Sequence, residues 1–499
     1  MPPQTPPPST LDALYRSSLA LFTDLYQLTM ACGYWQSGEC QRREAVFHLY
    51  FRNQPYGGGF SIACGLTRAL EYLRRFRFDD EDLAYLATLE GAGGRALFPA
   101  EFLEYLRGLR LSVDVHAVPE GTAVFPYEPL LRVTGPILQC QLLETPLLNI
   151  LNFGTLIATK AARLKLAARG EPLLEFGARR AHGLDGALAA SWAAYVGGCD
   201  ATSNVLAGRL WGIPVRGTMA HSWVMAFDDE PSAFDAYLRA MPHNSVLLVD
   251  TYDTLDGVRH AVAAGRRLRE LGHELHGIRL DSGDLAYLSD QARHLLDAAG
   301  FERTQILASN DLDEETIASL KEQGAAIGVW GVGTRLVTGH GQGALGGVYK
   351  LGAVRDPGAP WIYKIKLSEQ AAKISTPGVQ QVRRYRHGGG SVADMIFDED
   401  LGAPREGWMV DPDDLTRRRR VPAGETWSDL LVPVVRGGEI VAGEPGSLAE
   451  ARARVQSELH SFHAGIKRFV HPHEYPVGLE SRLFDLKTTL ALEARGIEP

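Results

Sequence analysis

The stretch Gly277 to Asp284 reads GIRLDSGD, and its two halves differ sharply in character. Gly277 to Leu280 is short and mostly apolar, whereas the four residues after it are acidic, small or polar. A strand of this kind is typical of a parallel sheet that helices cover on both faces. In such folds the polar residues that follow a strand lie at its carboxyl end, where the chemistry is placed. The stretch therefore predicts one βα unit of an α/β fold.

The same arrangement recurs five more times between residues 170 and 335. The other apolar runs are Leu173 to Phe176 before GARR, Ile213 to Val215 before RGTMAHS, Val246 to Val249 before DTYD, Gln305 to Ala308 before SND, and Ala326 to Trp330 before GVGT. Successive runs end roughly 20 to 40 residues apart, which leaves room for a helix between strands. We therefore predict a β/α barrel whose polar clusters meet at one mouth, with a doubly wound open sheet as the alternative.

The segments on either side of this series have different patterns. Leu25 to Cys32 has helical spacing, and Ala45 to Phe51 is a strand rich in β-branched and aromatic residues. The predicted organisation is a Pro-rich flexible tip (1–10), an N-terminal α+β domain (11–150), a β/α barrel catalytic domain (151–346), a β-rich segment packing with the N-terminal domain (347–446) and a C-terminal helical segment (447–499). The helix at the start of the last segment is expected from Ser447 to about Phe469.

Composition excludes several classes of protein. The 499 residues carry 51 basic and 60 acidic side chains, a formal net charge of −9, and 45% of them are hydrophobic. These values are typical of a globular chain and argue against a nucleic-acid binder, which needs clustered cations. The five cysteines form no C-x-x-C pair, and no signal peptide or membrane span is recognisable, so we expect a cytoplasmic protein.

Three of the polar clusters contain candidate functional residues. Arg279 and Asp281 lie two apart, so they share one side of a strand, and an Arg fork suits a carboxylate or phosphate. His221 follows another run, and Gly331 to Thr334 (GVGT) brings small residues and a hydroxyl to a third. Each has a structural alternative: an ion pair, a hydrogen-bonded core histidine and a tight turn, respectively.

Other motifs carry less weight. No P-loop occurs, and the G-x-G-x-x-G at Gly341, Gly343 and Gly346 precedes a strand rather than a helix, so we interpret it as a turn. The run Arg417 to Arg420 is interpreted as a solvated turn. A metal site built from the four C-terminal histidines is a weak alternative, since none has a cysteine partner; they are His460, His463, His471 and His473.

Taken together, the clusters resemble the nicotinate phosphoribosyltransferase family along nearly the whole chain. The matching motifs, in the family's order, are FTDLYQLTMACGYW (Phe22 to Trp35), FRNQPYGGGF (within Phe47 to Gly65), EFGARR (Glu175 to Arg180), GTMAHS (Gly217 to Ser222), VDTYD (Val249 to Asp253), RLDSGD (Arg279 to Asp284), SNDLDE (Ser309 to Glu314), GVGT (Gly331 to Thr334), GGVYK (Gly346 to Lys350) and PHEYPV (Pro472 to Val477). Each motif alone is weak, but ten in order are specific.

The resemblance implies an irregular β/α barrel of the type II phosphoribosyltransferase kind with an additional α/β domain built from N- and C-terminal segments. It also implies a homodimer whose sites lie between subunits. The reaction would join nicotinate to phosphoribosyl pyrophosphate, with Mg²⁺ and with ATP hydrolysed alongside through a phosphohistidine at His221. No nucleic acid or membrane partner is expected.

Residue roles follow from the same resemblance. Tyr26 and Phe176 would sandwich the pyridine ring, Tyr26 from the opposite subunit, while Thr218 and Arg279 would contact nicotinate. His221, Arg279 and Asp281 are the expected catalytic residues. The remaining expected substrate contacts, for phosphate, ribose or Mg²⁺, are Arg52, Arg179, Asp250, Ser309, Asn310, Gly333, Thr334 and Lys350. Mg²⁺ is expected near Asp250 or Asp281.

Alternatives remain open from the sequence alone. A nicotinamide or quinolinate phosphoribosyltransferase is the near alternative, because those substrates differ only in the groups on the ring. A metal-dependent β/α-barrel lyase could use Asp250, Asp281 and a histidine as ligands. A barrel without catalytic activity, acting as a binding partner, is the third.

Overall fold

A computed structural model describes residues 18–498, except 39, 371–372, 403, 405–407, 413, 415, 422–424, 442 and 444. The Pro-rich tip expected at residues 1–10 lies outside the described residues. Within the described part of the chain, no helix has the length and apolar character needed to cross a membrane.

Strands and helices alternate along much of the chain. The strands are β1 (Glu44–Tyr50), β2 (Ser61–Ile62), β3 (Asp114–Ala117), β4 (Ala123–Val124), β5 (Leu131–Pro136), β6 (Leu173–Glu175), β7 (Ala201–Thr202), β8 (Val246–Leu248), β9 (Gly277–Leu280), β10 (Gln305–Ala308), β11 (Val329–Val332), β12 (Val348–Arg355), β13 (Ile362–Tyr363), β14 (Gln380–His387), β15 (Gly390–Asp398), β16 (Trp408–Val410), β17 (Arg418–Arg420), β18 (Thr426–Asp429), β19 (Val432–Arg436), β20 (Glu439–Ile440) and β21 (Val477–Glu480). The helices are α1 (Leu25–Gln36), α2 (Leu66–Arg75), α3 (Asp80–Ala87), α4 (Ala100–Gly108), α5 (Ile137–Leu142), α6 (Glu144–Ala167), α7 (Leu184–Gly197), α8 (Val205–Trp211), α9 (His221–Met225), α10 (Glu230–Ala240), α11 (Thr254–Glu270), α12 (Leu285–Ala298), α13 (Glu314–Glu322), α14 (Thr334–Val337), α15 (Leu448–Ser461) and α16 (Ser481–Glu493).

The central element is a parallel sheet of six strands in the order β7-β6-β11-β10-β9-β8. β6 and β11 are the first and the last of the predicted strands along the chain, and they pair with each other. This strand order is the one expected of a ring of strands that is open at one place. A doubly wound sheet instead grows outward from its first strand in two directions. A bridge between Thr202 and Val215 extends the ladder beyond β7. No strand pairing among the described residues links Val215 to β8, so closure into a barrel is not shown.

The run Ala326 to Trp330 is displaced, because β11 spans Val329–Val332 and so includes Gly331 and Val332 of the GVGT motif. Two other strand predictions need correction. The run Ile213 to Val215 forms only the isolated bridge at Val215, and the two-residue strand β7 was not predicted. The long interval between Glu175 and Gly217 explains both errors, because it contains α7, β7 and α8 in addition to the connecting loops. A strand of two residues has no periodicity from which a sequence could reveal it.

A second, seven-stranded sheet brings together distant parts of the chain. Its order is β13-β12-β1-β5-β3-β19-β20, so strands from residues 44–136 pair with strands from residues 348–440. Its core also contains the first helices and the N-terminal half of α6. The C-terminal half of α6 is buried in the core of the parallel sheet instead. This 24-residue helix therefore belongs to both cores.

A third sheet changes the description of the C-terminal part. Its order is β17-β16-β21-β15-β14-β18, and β21 comes from the segment that was expected to be helical. The helix expected from Ser447 to about Phe469 ends at Ser461 and is followed by the 3₁₀ turn Ala464–Lys467. The run Arg417 to Arg420 is exposed as predicted, but Arg418–Arg420 is a strand rather than a turn.

Candidate active site

Arg279 lies near the end of β9, and two neighbours fix its guanidinium. Its Nε donates to Ser309 Oγ at 2.8 Å and its Nη2 donates to Asp281 Oδ1 at 2.8 Å. Ser309 Oγ also donates to Asp281 Oδ1. The structural alternative to a functional Arg279 is thus partly correct, since an ion pair exists. The guanidinium edge at Nη1 makes no hydrogen bond with another described residue, and it remains for a ligand.

Asp250 joins the ends of two strands. Its Oδ2 accepts hydrogen bonds from the backbone N–H of Asp281 and from Ser282 Oγ, both at 2.7 Å. Its Oδ1 is buried without a hydrogen-bond partner. Helix α11 lies very close to the end of β8. A Cβ added to Gly257 of this helix would lie only 2.0 Å from the carbonyl oxygen of Val249, the residue before Asp250. A glycine is therefore required for α11 to pack against the residues that carry Asp250.

The charge state of Asp281 follows from these neighbours. Burial acts to raise the pKa of its carboxyl group, but the Ser309 hydrogen bond, the Arg279 charge and the Arg279 hydrogen bond together hold the pKa below its usual value. Asp281 is therefore ionised at neutral pH and supplies a fixed negative charge.

His221 is the first residue of α9, and its ring lies between two strand ends. Its Nδ1 is 3.2 Å from Thr251 Oγ1, and its Nε2 is 3.8 Å from Asp281 Oδ2. The side chain is 41% exposed, so it is not the buried core histidine of the structural alternative. Thr251, which follows Asp250 directly, was missed by the sequence analysis because a single threonine in DTYD carries no distinguishing signal.

An aromatic ring forms one wall of this site. The Cζ of Arg279 lies 5.7 Å from the centre of the Phe176 ring. A Cβ on Gly331 would lie 2.9 Å from two atoms of the same ring, so Phe176 rests directly on the backbone of β11. The structure brings together six residues, five from the ends of β6, β8, β9 and β10 and one from the start of α9: Phe176, Asp250, Arg279, Asp281, Ser309 and His221. We call them the strand-end cluster.

Five other expected residues have weaker support. Gly333 precedes α14, and Thr334 begins that helix, at the end of β11. The Thr218 hydroxyl makes only a local hydrogen bond, to the carbonyl oxygen of Met219. Arg179 and Asn310 are exposed and make no side-chain hydrogen bond with another described residue. All of them follow strands of the parallel sheet or its bridge, but no contact among the described residues ties their side chains to Arg279.

A second cluster lies beside the seven-stranded sheet. Burial, Arg52 and Lys366 lower the pKa of Lys350, whereas Glu144 acts in the opposite direction, which places these charges near one another. Burial and Glu144 raise the pKa of Tyr26, whose side chain is 47% exposed. We call Tyr26, Arg52, Glu144, Lys350 and Lys366 the sheet-side cluster. No hydrogen bond, ion pair or ring contact between described residues joins it to the strand-end cluster.

The described residues contain no group of three or more His, Cys, Asp or Glu side chains placed to hold a metal ion. Two of the four C-terminal histidines make contacts of a structural kind, since His463 Nδ1 accepts a hydrogen bond from the Gly465 N–H and its ring lies edge-on to that of His473.

Comparison with known families identifies the chain. Family models described as the nicotinate phosphoribosyltransferase (NAPRTase) N-terminal domain, the NAPRTase family and the NAPRTase C-terminal domain match residues 21–152, 172–355 and 380–487. The chain belongs to the nicotinate phosphoribosyltransferase family. It is therefore an enzyme of that family, as the motifs predict.

Individual relatives agree with this assignment. The nicotinate phosphoribosyltransferase of Bacillus subtilis (strain 168) is 43% identical over 471 residues, which cover 93% of each chain. That of Homo sapiens is 38% identical over 529 aligned residues, covering 94% of this chain and 96% of the human protein. A crystal structure of human nicotinic acid phosphoribosyltransferase has a TM-score of 0.81 at 35% identity and covers 94% of this chain and 99% of its own.

Proposed function

We propose that this protein joins nicotinate to phosphoribosyl pyrophosphate, giving nicotinate mononucleotide and pyrophosphate with coupled ATP hydrolysis, as the first step of NAD salvage from nicotinate. The observation that carries the proposal is the free guanidinium edge of Arg279 beside the Phe176 ring, in a chain of this family. A guanidinium pairs with a carboxylate and an aromatic wall suits a pyridine ring, so one small site meets both parts of nicotinate.

The same geometry distinguishes among the pyridines. Nicotinamide carries no charge, so it would leave the edge of Arg279 without an anion. Quinolinate carries a second carboxylate and would need a second cation, whereas Asp250 and Asp281 add negative charge to the strand-end cluster. Nicotinate, with one carboxylate, matches the single guanidinium.

The chemistry needs few acid–base groups. The pyridine nitrogen carries no proton, so its lone pair attacks C1 of the ribose directly. The C–N bond forms as the C–O bond to pyrophosphate breaks, and pyrophosphate leaves with the electron pair. The carboxylates of Asp250 and Asp281 stabilise positive charge that develops on the sugar, and the cations of the sheet-side cluster bind the leaving phosphates. The nucleotide product is a pyridinium, which an aromatic ring such as Phe176 also favours.

The residues present fit Mg²⁺. Asp250 Oδ1 is a buried anionic oxygen without a partner, and Asp281 lies next to it. Mg²⁺ usually binds one or two carboxylates together with substrate phosphates and water, so three protein ligands are not required. Asp250 and Asp281 would hold it, and when bound it would neutralise charge on the leaving pyrophosphate.

His221 is proposed as the residue that ATP phosphorylates. Thr251 holds its Nδ1 side, and its half-exposed ring faces Asp281. In the transfer, a bond forms between a ring nitrogen and the γ-phosphorus while the β–γ bridging bond breaks and ADP leaves. A phosphoryl group beside the Asp281 carboxylate would increase the local negative charge, and this changes the affinity for anionic substrates and products.

We further propose a homodimer with shared sites. The charges of Arg279, Asp250 and Asp281 sum to +1 − 2 = −1, or to +1 with Mg²⁺ bound, whereas Arg52, Lys350, Lys366 and Glu144 sum to +3 − 1 = +2. Phosphoribosyl pyrophosphate carries several negative charges, more than this site balances, so the sheet-side cluster of a second copy would supply the further cations. Leu25, Tyr26 and Met30 on α1 are exposed and supply an apolar face for that contact.

The finer points of architecture and location are proposals too. The ring order of the parallel sheet and the bridge at Val215 support an irregular barrel with a seam before β8. The domain limits stay a prediction from the sequence. All five cysteines are free thiols, which supports the cytoplasm.

The first experiment measures pyrophosphate release with nicotinate, nicotinamide or quinolinate, each with phosphoribosyl pyrophosphate and Mg²⁺, with and without ATP. We expect release with nicotinate and stimulation by ATP. Release with nicotinamide alone would reject the substrate, and no release with any pyridine would reject the reaction.

A methyl group beneath Phe176 should weaken nicotinate binding. In Gly331→Ala the new Cβ displaces the ring, and overpacking of about 1 to 3 kcal/mol predicts a KM for nicotinate raised roughly tenfold. Gly343→Ala is the matched control, since a Cβ there meets no atom within 4 Å. Equal KM values for the two variants would show that Phe176 does not contact the ring.

Removal of the phosphorylated residue should uncouple ATP. His221→Asn is expected to lose ATP stimulation and the acid-labile phosphoprotein detected with γ-labelled ATP, while turnover without ATP persists. Full ATP stimulation in this variant, without labelled protein, would show that the role of His221 is wrong.

Complementation tests the shared site. Arg279→Gln and Tyr26→Ala, each nearly inactive alone, should recover about one quarter of wild-type activity when co-expressed, because half of the two-fold dimers then contain one intact site. Arg279→Gln with Asp281→Asn is the control, since both residues lie in the same cluster and no intact site can form. Recovery in neither pair would argue against sharing between subunits.

A further inference from the structure

A cavity of about 220 Å³ lies away from the catalytic residues, among α2, α6 and α7. None of the residues assigned to catalysis or substrate binding lines it. The lining residues that matter for its chemistry are Arg68, Asn149, Phe153, His182, Gly186 and Trp192. Its volume suits a single ring with one substituent rather than a nucleotide.

Backbone packing fixes one wall of the cavity. A Cβ on Gly154 would lie 2.7 Å from the carbonyl oxygen of Cys64, and one on Gly65 would lie 2.8 Å from that of Ile150. Helix α6 and the turn before α2 therefore touch backbone to backbone at this wall. Gly186 differs, because a Cβ there meets no atom within 4 Å, so its side faces open space.

The nearest buried acid is already satisfied by other groups. Glu120 accepts hydrogen bonds from the Gly65 N–H and Thr67 Oγ1, both at 2.6 Å, from Trp192 Nε1 at 3.1 Å and from Cys64 Sγ at 3.2 Å. Four donors thus surround one carboxylate. Glu120 orients Trp192 in the cavity wall and is not an ion-pair partner for Arg68.

Arg68 is consequently a cation without a counterion. It forms no hydrogen bond or ion pair with another described residue. Burial and Glu120 raise the pKa of the Cys64 thiol well above its usual value, while Arg68 acts in the opposite direction, so its charge is felt near Cys64. The cavity also has an acid, Asp185, in the first turn of α7. Its Oδ1 lies 3.0 Å from the position that a Cβ on Gly183 would take, so this carboxylate is turned toward the residue before its own helix.

We propose that this cavity binds a small organic anion with one carboxylate on a flat apolar ring. The carboxylate pairs with Arg68, and the ring lies between Phe153 and Trp192. A charge-assisted hydrogen bond and aromatic contact together give such a ligand both orientation and affinity. The loop from Phe176 to Gly183, which includes the lining residue His182, connects the cavity to the catalytic ring wall.

The test uses 4-fluorobenzoate as the probe and ¹⁹F NMR line broadening on the full-length protein, without substrates. We expect binding at millimolar concentration in the wild type. Gly186→Leu fills the open space and should raise the Kd at least about tenfold, and Arg68→Gln should raise it about tenfold through loss of the ion pair. The catalytic site also suits a carboxylate on a flat ring, so the Kd values are compared in the Arg279→Gln background, in which that site lacks its guanidinium.

Matched controls separate specific from general effects. Arg74→Gln removes an exposed cation from the same helix, and Gly108→Leu adds the same side chain where a Cβ also meets nothing, so neither should change the Kd. Two results overturn the proposal: no binding in the Arg279→Gln background, or a Kd in that background that neither Gly186→Leu nor Arg68→Gln raises. The first result would place all binding by the wild type in the catalytic site, and the second would place the probe outside this cavity. Neither result depends on which reaction the enzyme catalyses.

Discussion

One carboxylate oxygen of Asp250 holds the catalytic end of the molecule together. It accepts hydrogen bonds from the backbone of Asp281 and from Ser282, so the segment after β8 is tied to the segment after β9. Asp281 in turn orients Arg279, and Thr251, beside Asp250, orients His221. Positions that would otherwise belong to independent loops thereby become one unit. Such preorganisation matters for a reaction that depends on placed charges rather than on proton transfer.

Much of this arrangement could be predicted from the sequence, for a physical reason. β9 and β10 have the predicted limits because a buried parallel strand must be apolar on both faces and must end where polar residues begin. β7 could not be predicted, since two residues show no period. β21 was not predicted for another reason: its partner strands, β15 and β16, lie far away along the chain, and no local pattern indicates such a pairing.

The functional residues divide in the same way. Asp281 and His221 follow apolar runs and Arg279 lies near the end of one, so their convergence could be inferred, and the structure places the three side chains near one another. Glu144 and Lys366 belong to no cluster in the sequence, and only the folded chain places them beside Lys350. Resemblance to the family supplied roles for Tyr26 and Arg52. It did not show that, among the described residues of one chain, no hydrogen bond, ion pair or ring contact joins these residues to Arg279.

The seven-stranded sheet has a consequence for how the chain is made. Its strand β3 lies between β5 and β19, and Ala117 is paired with Val432. During synthesis one edge of β3 has no partner strand until β19 is made, which is after more than half of the remaining protein has left the ribosome. Pairings so distant along the chain form slowly, and an unpaired strand edge can associate with other chains in the meantime. An edge of this sheet is therefore open to association with other chains from the synthesis of β3 until β19 emerges.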